Sequence, residues 1–257
     1  MSGLGGKRAG HGRDGAGSAP ATSHRIRELA TRYTLCEAAA EQLSALLGLV
    51  SSDPLAPTTL RAPEAVVDDH LADSLVALEL AQARSAATIA DLGAGAGFPG
   101  LPLAIARPDA RVFLVESSSR KCAFIVRAIA ATGLTNAEVV CSRAESWVAG
   151  LGSCDLVTAR ALASLDVVAE YAAPLLRIGG TLIVWRGQRD RVAEGAAAIV
   201  APELGLELCE IREVAPYPGA EHRHLHLMSK VRETPSQFPR RPGMAQKRPL
   251  AGRRPAV

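Results

Sequence analysis

The sequence predicts an α/β protein built on a doubly wound, Rossmann-like sheet with an additional N-terminal layer of helices. Three observations support this fold class. A short apolar segment at 88–90 leads directly into a glycine-rich turn at 91–100. Apolar segments then alternate with helical ones as far as residue 201. Two segments that alternate with a period of two residues follow, at 206–211 and 224–228, as expected for a closing antiparallel pair.

The glycine-rich turn reads Asp-Leu-Gly-Ala-Gly-Ala-Gly-Phe-Pro-Gly. A strand, a glycine turn and a helix N-terminus together form a nucleotide-binding loop, because glycine lets the backbone approach a ligand and the helix end offers unpaired N–H groups. The dinucleotide fingerprint places its first glycine directly after the strand. Here that glycine is Gly93, and Phe98 then occupies the position of the third glycine. The spacing resembles instead the first motif of Rossmann-like methyltransferases that use S-adenosylmethionine.

A second predicted strand, at 111–115, ends at the acidic residue Glu116. A carboxylate about 20 residues after the glycine turn accepts hydrogen bonds from ribose hydroxyls. NAD and S-adenosylmethionine both carry such hydroxyls, so Glu116 supports the fold without choosing the cofactor.

The remaining elements follow from hydrophobic periodicity. Further strands are predicted at 138–141, 155–159 and 181–185, and helices within 23–50 and at 63–83, 121–131, 167–175 and 190–201. These elements divide the chain into a helical layer at 24–84 and a sheet domain at 85–231.

The two ends of the chain differ from its body in charge. Residues 1–32 carry a net charge of +4 and residues 230–257 a net charge of +7, so the middle carries −8 of the overall +3. Residues 1–23 are glycine-rich and polar, which predicts disorder. Residues 232–257 are predicted to form a basic tail. Basic ends on an acidic body suit a polyanionic partner, although solvated tails that only maintain solubility have the same composition.

Several classes of protein are disfavoured. The hydrophobic fraction of 48% is that of a soluble globular protein, and no apolar run is long enough to span a membrane. No apolar segment follows the basic N-terminus, so a secretory signal is not expected. The five cysteines lack metal-ligand spacing. We expect a cytoplasmic protein with reduced, mostly buried cysteines, no metal and no membrane contact.

A wider set of motifs resembles one family. The glycine turn is followed by Glu-Ser at 116–117, Ser-Arg-Ala-Glu at 142–145 and Ala-Arg-Ala-Leu-Ala-Ser-Leu at 159–165, and it is preceded by His-x-x-Asp-Ser-Leu at 70–75. The segment 234–250 is similar to the family's C-terminal segment. In this order the motifs resemble the RsmG (GidB) family, bacterial methyltransferases of small-subunit ribosomal RNA, over roughly residues 64 to 250.

The resemblance implies a class I methyltransferase sheet and transfer of a methyl group from S-adenosylmethionine to N7 of a guanine in the decoding region of 16S rRNA. It implies a monomer whose partner is this RNA or the small ribosomal subunit. The cofactor residues implied are Gly93, Gly95, Gly97, Phe98, Glu116, Ser117, Ala144, Glu145 and Arg160. The residues implied on the RNA side are His70, Arg186 and Arg223. No residue is implied as a general base.

Two of these residues have alternative interpretations. Arg160 forms a salt bridge with Asp91 or Glu145 if its role is structural, and Arg223 is an exposed hairpin charge if it does not meet RNA. The chain has Arg186 where the family usually has lysine. Two other functions stay open, a methyltransferase of small molecules and, less favoured, an NAD-dependent oxidoreductase.

Overall fold

A computed structural model describes residues 18–252, and this part of the chain contains one seven-stranded sheet. The strands are β1 (Thr88–Leu92), β2 (Arg111–Glu116), β3 (Ala137–Cys141), β4 (Cys154–Arg160), β5 (Leu176–Arg186), β6 (Leu206–Glu213) and β7 (His224–Lys230). They lie in the order β3-β2-β1-β4-β5-β7-β6. Strands β1 to β5 are parallel, and β7 is antiparallel to both β5 and β6. The predicted doubly wound sheet with its closing antiparallel pair is confirmed.

Helices cover both faces of this sheet. They are α1 (Ser18–Arg32), α2 (Ala39–Ser52), α3 (Pro63–Val66), α4 (Asp73–Leu75), α5 (Ala81–Ser85), α6 (Gly100–Ala106), α7 (Ser119–Thr132), α8 (Leu165–Ala172), α9 (Arg191–Val200) and α10 (Met244–Lys247). The N-terminal helices share one apolar cluster with α6 and α7. Helices α8 and α9 form a second cluster on the other face. Alternate strand residues such as Ile183 and Val184 belong to different clusters, because successive side chains point to opposite faces.

The helical segment at 63–85 is irregular, although the sequence predicts one helix over 63–83. A π-helical turn at Val67–Ala72 and a 3-10 turn at Val76–Glu79 interrupt it. The backbone carbonyl of Asp69 accepts a bond from Arg160 Nη1 at 2.8 Å, and that of Asp73 accepts one from Trp185 Nε1 at 2.7 Å. Side chains at the ends of β4 and β5 therefore take helix carbonyls as partners. Wide helical turns of this kind are frequent at functional sites.

Both predicted tails are shorter than expected. Helix α1 begins at Ser18, so residues 18–23 are helical and not disordered, while residues 1–17 lie outside the described part. Residues 232–252 pack on the second face of the sheet and bury Phe238, Ala245 and Leu250, so this segment is not a free tail. A few well-spaced apolar residues in a basic sequence provide that packing. Residues 253–257 lie outside the described part.

The cysteines agree only in part with their predicted burial. All five cysteines are free, and only Cys122 and Cys154 are buried, so the prediction of mostly buried cysteines is wrong for the other three, Cys36, Cys141 and Cys209. Within residues 18–252, no helix has the length and apolar character to cross a membrane. The same residues contain no cluster of three side chains suited to hold a metal ion.

Candidate active site

A cavity of about 260 Å³ lies at the carboxyl edge of the sheet, where the strand order reverses between β1 and β4. Ligands of open α/β sheets bind in this crevice. Five of the predicted cofactor residues line it: Gly93, Glu116, Ser117, Ala144 and Glu145. We call this cavity the cofactor pocket.

Glu116 links the two backbone segments at the floor of the cofactor pocket. Its Oε2 atom accepts the Gly95 N–H at 3.1 Å, and its Oε1 atom accepts the Ser118 N–H at 2.8 Å. The residue is only 6% exposed, and the ammonium group of Lys121 is 4.0 Å away. A carboxylate offers about four acceptor sites. Glu116 therefore keeps acceptor capacity for ribose hydroxyls while it fixes the glycine turn.

Two positions of the turn, 93 and 97, require glycine for different structural reasons. Gly93 has φ +66°, and a Cβ atom there would lie 2.5 Å from Leu162 Cδ1, so a side chain at this position would collide with the pocket wall. Gly97 has φ +90°, and a Cβ atom would lie 2.2 Å from Leu101 Cδ1. The close packing of Leu101 in α6 against this residue explains why position 97 is a glycine. Gly95, Gly97 and Phe98 lie beside the cofactor-pocket lining, so their contact with a cofactor stays a prediction.

Asp91 fixes helix α6 beneath the turn. Its Oδ2 atom accepts the Gly100 N–H at 2.9 Å, and its Oδ1 atom accepts the Thr158 hydroxyl at 2.9 Å. Complete burial raises the pKa of Asp91 to about 7. A Cβ atom at residue 100 would lie 2.9 Å from this carboxylate, which explains the glycine.

The C-terminal segment closes the outer side of the cofactor pocket. The Gly243 N–H donates to Glu145 Oε1 at 2.8 Å, and Gln246 contributes to the lining. Nearby, Arg240 forms a two-bond ion pair with the buried carboxylate of Glu170 on α8. The sequence analysis missed this wall. Its only signal was the similarity of the segment 234–250 to the family's C-terminal segment.

A second cavity of about 620 Å³ adjoins the first and shares Ala161 with it. Four predicted site residues from distant parts of the chain line it together: His70, Arg160, Arg186 and Arg223. Ala161 has φ +53°, an uncommon conformation for a residue with a side chain, at the point where the chain leaves β4. We call this second cavity the arginine cleft.

His70 is held as a neutral imidazole in the arginine cleft. Its ring stacks on Phe98 with centroids 4.4 Å apart and an angle of 17° between the planes. The Nδ1 atom lies 3.1 Å from Arg160 Nη2, which can only donate, and 3.2 Å from the Asp69 carbonyl, which can only accept. The shorter contact favours a hydrogen on Nε2, which then donates to Thr58 Oγ1 at 2.9 Å. Burial, together with the charge of Arg160, lowers the pKa of His70 to about 4. The imidazole is therefore uncharged at neutral pH.

Arg160 lies in the arginine cleft and pairs with a residue that the sequence analysis did not consider. Its Nη1 atom donates to Asp73 Oδ2 at 2.9 Å. The alternative in which Arg160 pairs with Asp91 or Glu145 is therefore wrong, since those carboxylates have the other partners described above. Arg160 lines the arginine cleft and not the cofactor pocket, so its contact with a cofactor stays a prediction. The side chain also lies over the Phe98 ring, 5.6 Å from its centroid.

The other two arginines also have protein partners. Arg186 Nη2 donates to the Ala163 carbonyl at 2.7 Å, and burial lowers the pKa of this guanidinium. Arg223 Nη2 donates to Asp69 Oδ1 at 2.9 Å and to Tyr217 Oη at 3.1 Å. Arg223 is thus part of an ordered ion-pair network rather than a free hairpin charge.

The strand order, the glycine turn after β1 and the carboxylate at the end of β2 together define a class I S-adenosylmethionine-dependent methyltransferase. The cofactor-pocket lining fits this cofactor. Glu116 offers acceptors to ribose hydroxyls, Gly93 exposes its backbone in the lining, and Glu145 adds a second acidic side chain beside a cationic ligand.

The chain belongs to the rRNA small subunit methyltransferase G (GidB) family, which matches residues 52–201. It is 42% identical over 202 residues to the Ribosomal RNA small subunit methyltransferase G of Rubrobacter xylanophilus, covering 75% of this chain and 76% of that protein. The protein of the same name from Deinococcus radiodurans is 36% identical over 215 residues, covering 82% and 85%. A solved S-adenosylmethionine-dependent methyltransferase from Aquifex aeolicus aligns with a TM-score of 0.48 and 16% identity, covering 74% and 98%. The family resemblance and the cofactor are confirmed.

Proposed function

We propose that this protein transfers a methyl group from S-adenosylmethionine to N7 of a guanine in the decoding region of 16S rRNA. The observation that carries the proposal is the shared wall between the cofactor pocket and the arginine cleft at Ala161. A base in the cleft lies next to the cofactor pocket, and three arginines surround it. Because bacterial ribosomal RNA is a cytoplasmic substrate, we place the reaction in the cytoplasm.

The chemistry requires positioning rather than proton transfer. S-adenosylmethionine supplies an electrophilic methyl group when bound. Guanine N7 carries a free lone pair, so its attack needs no general base. His70 agrees with this, because both ring nitrogens already have protein partners and burial keeps the ring neutral. Alignment of the reacting atoms by a rigid site accounts for catalysis of this type.

The RNA side of the site is assigned to His70, Arg186 and Arg223. Cationic side chains bind phosphates and fix the register of an RNA, while contacts to base edges select the nucleotide. Arg186 and Arg223 are partly exposed at the arginine cleft, and each guanidinium has N–H groups beyond those that bind the protein partners described above. His70 supports the cleft wall through its stack on Phe98.

The test is methylation by the purified protein of two substrates that lack the modification, small ribosomal subunits and protein-free 16S rRNA. Mass spectrometry of the digested RNA then identifies the product. We expect one N7-methylguanosine in at least one substrate and none in large-subunit RNA. Methylation of another atom would contradict the assignment to guanine N7. Methylation of no RNA, together with tight binding of S-adenosylmethionine, would instead favour a small-molecule methyltransferase.

A further inference from the structure

One oxygen of the Asp73 carboxylate lacks a hydrogen bond at the wall of the arginine cleft. The residue is 5% exposed, and its Oδ2 atom accepts from Arg160 Nη1. Its Oδ1 atom is buried and has no hydrogen-bond partner among the described residues. The Nε atom of Arg223 is 3.7 Å from Oδ1, which is too long for a hydrogen bond. A buried acceptor without a partner is costly and calls for an explanation.

The surroundings hold this carboxylate in one position. The Asp73 backbone carbonyl accepts from Trp185 Nε1, and Arg160 is itself fixed by the Asp69 carbonyl. Burial raises the pKa of Asp73, while the charges of Arg160 and Arg223 favour its ionised form. The site therefore presents a preorganised acceptor to whatever enters the arginine cleft.

We propose that Asp73 selects guanine by accepting hydrogen bonds from N1–H and from the exocyclic N2 amino group of the target base. This inference rests on the proposed function. Guanine presents two neighbouring donors on this edge, which match the two oxygens of a carboxylate. Oδ1 has no hydrogen bond, and Oδ2 keeps a second acceptor site beside the bond from Arg160. Adenine and cytosine present a ring-nitrogen acceptor beside their amino group, and a carboxylate repels that acceptor. A base-reading enzyme of this class recognises the Watson–Crick edge of an unstacked nucleotide.

The position of Asp73 agrees with the reacting atom. The N7 atom and the N2 amino group lie at opposite ends of the purine. Asp73 lines the arginine cleft and not the cofactor pocket, whereas Ala161 lines both. A guanine whose N1 and N2 groups face Asp73 directs N7 away from that carboxylate.

The same contact strengthens during the reaction. The N7 lone pair forms the bond to the methyl carbon while the carbon–sulfur bond breaks and its electron pair stays on sulfur. The purine gains a positive charge, so its N1–H becomes a better donor to Asp73. An interaction that is stronger in the transition state raises kcat.

The experiment compares guanosine with inosine at the position that the wild-type protein methylates. Inosine lacks the N2 amino group and retains N7, O6 and N1–H. Small subunits assembled with either nucleotide are tested with the wild type, Asp73→Asn and Asp69→Asn. Asp69 supplies the matched control, because it carries the same charge in the same cleft but already has two partners, Tyr217 and Arg223.

We expect the wild type to prefer guanosine by about tenfold or more, the effect of one hydrogen bond to a charged group. Asp73→Asn should lower kcat on guanosine and reduce the preference to near one, with unchanged affinity for S-adenosylmethionine. Asp69→Asn should keep the preference even where its rate falls. Equal use of inosine by the wild type overturns the inference without any variant, and so does a full preference in Asp73→Asn. A wild type that does not methylate guanosine overturns the proposed function as well.

Discussion

The cofactor pocket and the arginine cleft lie side by side but are built differently. The predicted residues of the cofactor pocket come from the ends of β1 and β2 and the turn after β3, within 93–145, and much of their geometry is set by backbone groups. The arginine cleft takes side chains from residue 60 to residue 224 and is held by ion pairs among them. The part of a pocket that backbone groups of a few nearby motifs form can be predicted from the sequence. A cleft made by distant side chains requires the fold.

The largest effect is expected where the C-terminal segment closes the cofactor pocket. Arg240→Ala removes one partner of a buried ion pair and leaves the Glu170 carboxylate uncompensated. Such a loss costs about 3–5 kcal/mol of folding free energy. Urea denaturation measures it, and affinity for S-adenosylmethionine should fall because Gly243 and Gln246 belong to the same segment.

Arg241→Ala is the matched control, since this neighbouring arginine is exposed. Its effect on unfolding should stay within about 0.5 kcal/mol. Equal losses in the two variants would contradict the assignment of residues 232–252 to the wall of the cofactor pocket.

Glu116→Ala tests the cofactor pocket itself. The change removes acceptors for the ribose and the anchor of the Gly95 and Ser118 amides. Each hydrogen bond to a charged group contributes about 1.5–3 kcal/mol, so the Kd for S-adenosylmethionine should rise at least tenfold. Calorimetric titration measures this change. Glu138→Ala, an exposed position on β3, removes the same charge and should leave the Kd unchanged.

The sheet followed closely from the sequence, because each strand is a short apolar run whose period is set by the backbone. The main exception is β5, predicted at 181–185 and observed as Leu176–Arg186. Its first residues include the exposed Arg177 and Gly179 and the buried Gly180, which carry no apolar pattern, and a register shift accompanies them opposite β4.

The arginine cleft could be predicted from the sequence only in part. His70, Arg186 and Arg223 were assigned to one surface by resemblance, and the structure does bring them together. The alternative partners predicted for Arg160 were wrong. Its actual partner, Asp73, is 87 residues away in the sequence, and no local pattern links the two. The C-terminal segment was misjudged because its charges obscure the few apolar residues that dock it.

Arg186→Ala should separate the arginine cleft from the cofactor pocket. The side chain lines the cleft and holds the Ala163 carbonyl, but it does not line the cofactor pocket. We expect single-turnover methylation to fall about tenfold, while affinity for S-adenosylmethionine changes less than about twofold. Arg186→Lys keeps the charge but loses the planar fork and should give an intermediate rate. Arg189 lies in the loop directly after β5 and pairs with Glu194, so Arg189→Ala is the control. Equal losses of turnover and affinity in Arg186→Ala would contradict the separation.

The smallest effect is expected from exposed charges on the segment that closes the cofactor pocket. Arg241, Lys247 and Arg248 are exposed there and are available to RNA phosphates, whereas Arg240 is committed to Glu170. Replacing the three by alanine leaves Phe238, Ala245 and Leu250 in place, so the packing of the segment is preserved. For every phosphate that the variant no longer binds, the slope of log K against log salt concentration should fall by about 0.7–0.9. RNA binding at several salt concentrations measures the slope.

The control is a variant with alanine at three exposed arginines elsewhere, Arg27, Arg111 and Arg191, which makes the same change in net charge. If RNA crosses the rim of the cofactor pocket to reach the arginine cleft, only the first variant flattens the slope. Equal slopes in both variants would mean that RNA approaches the cleft from the side of Arg186 and Arg223 alone.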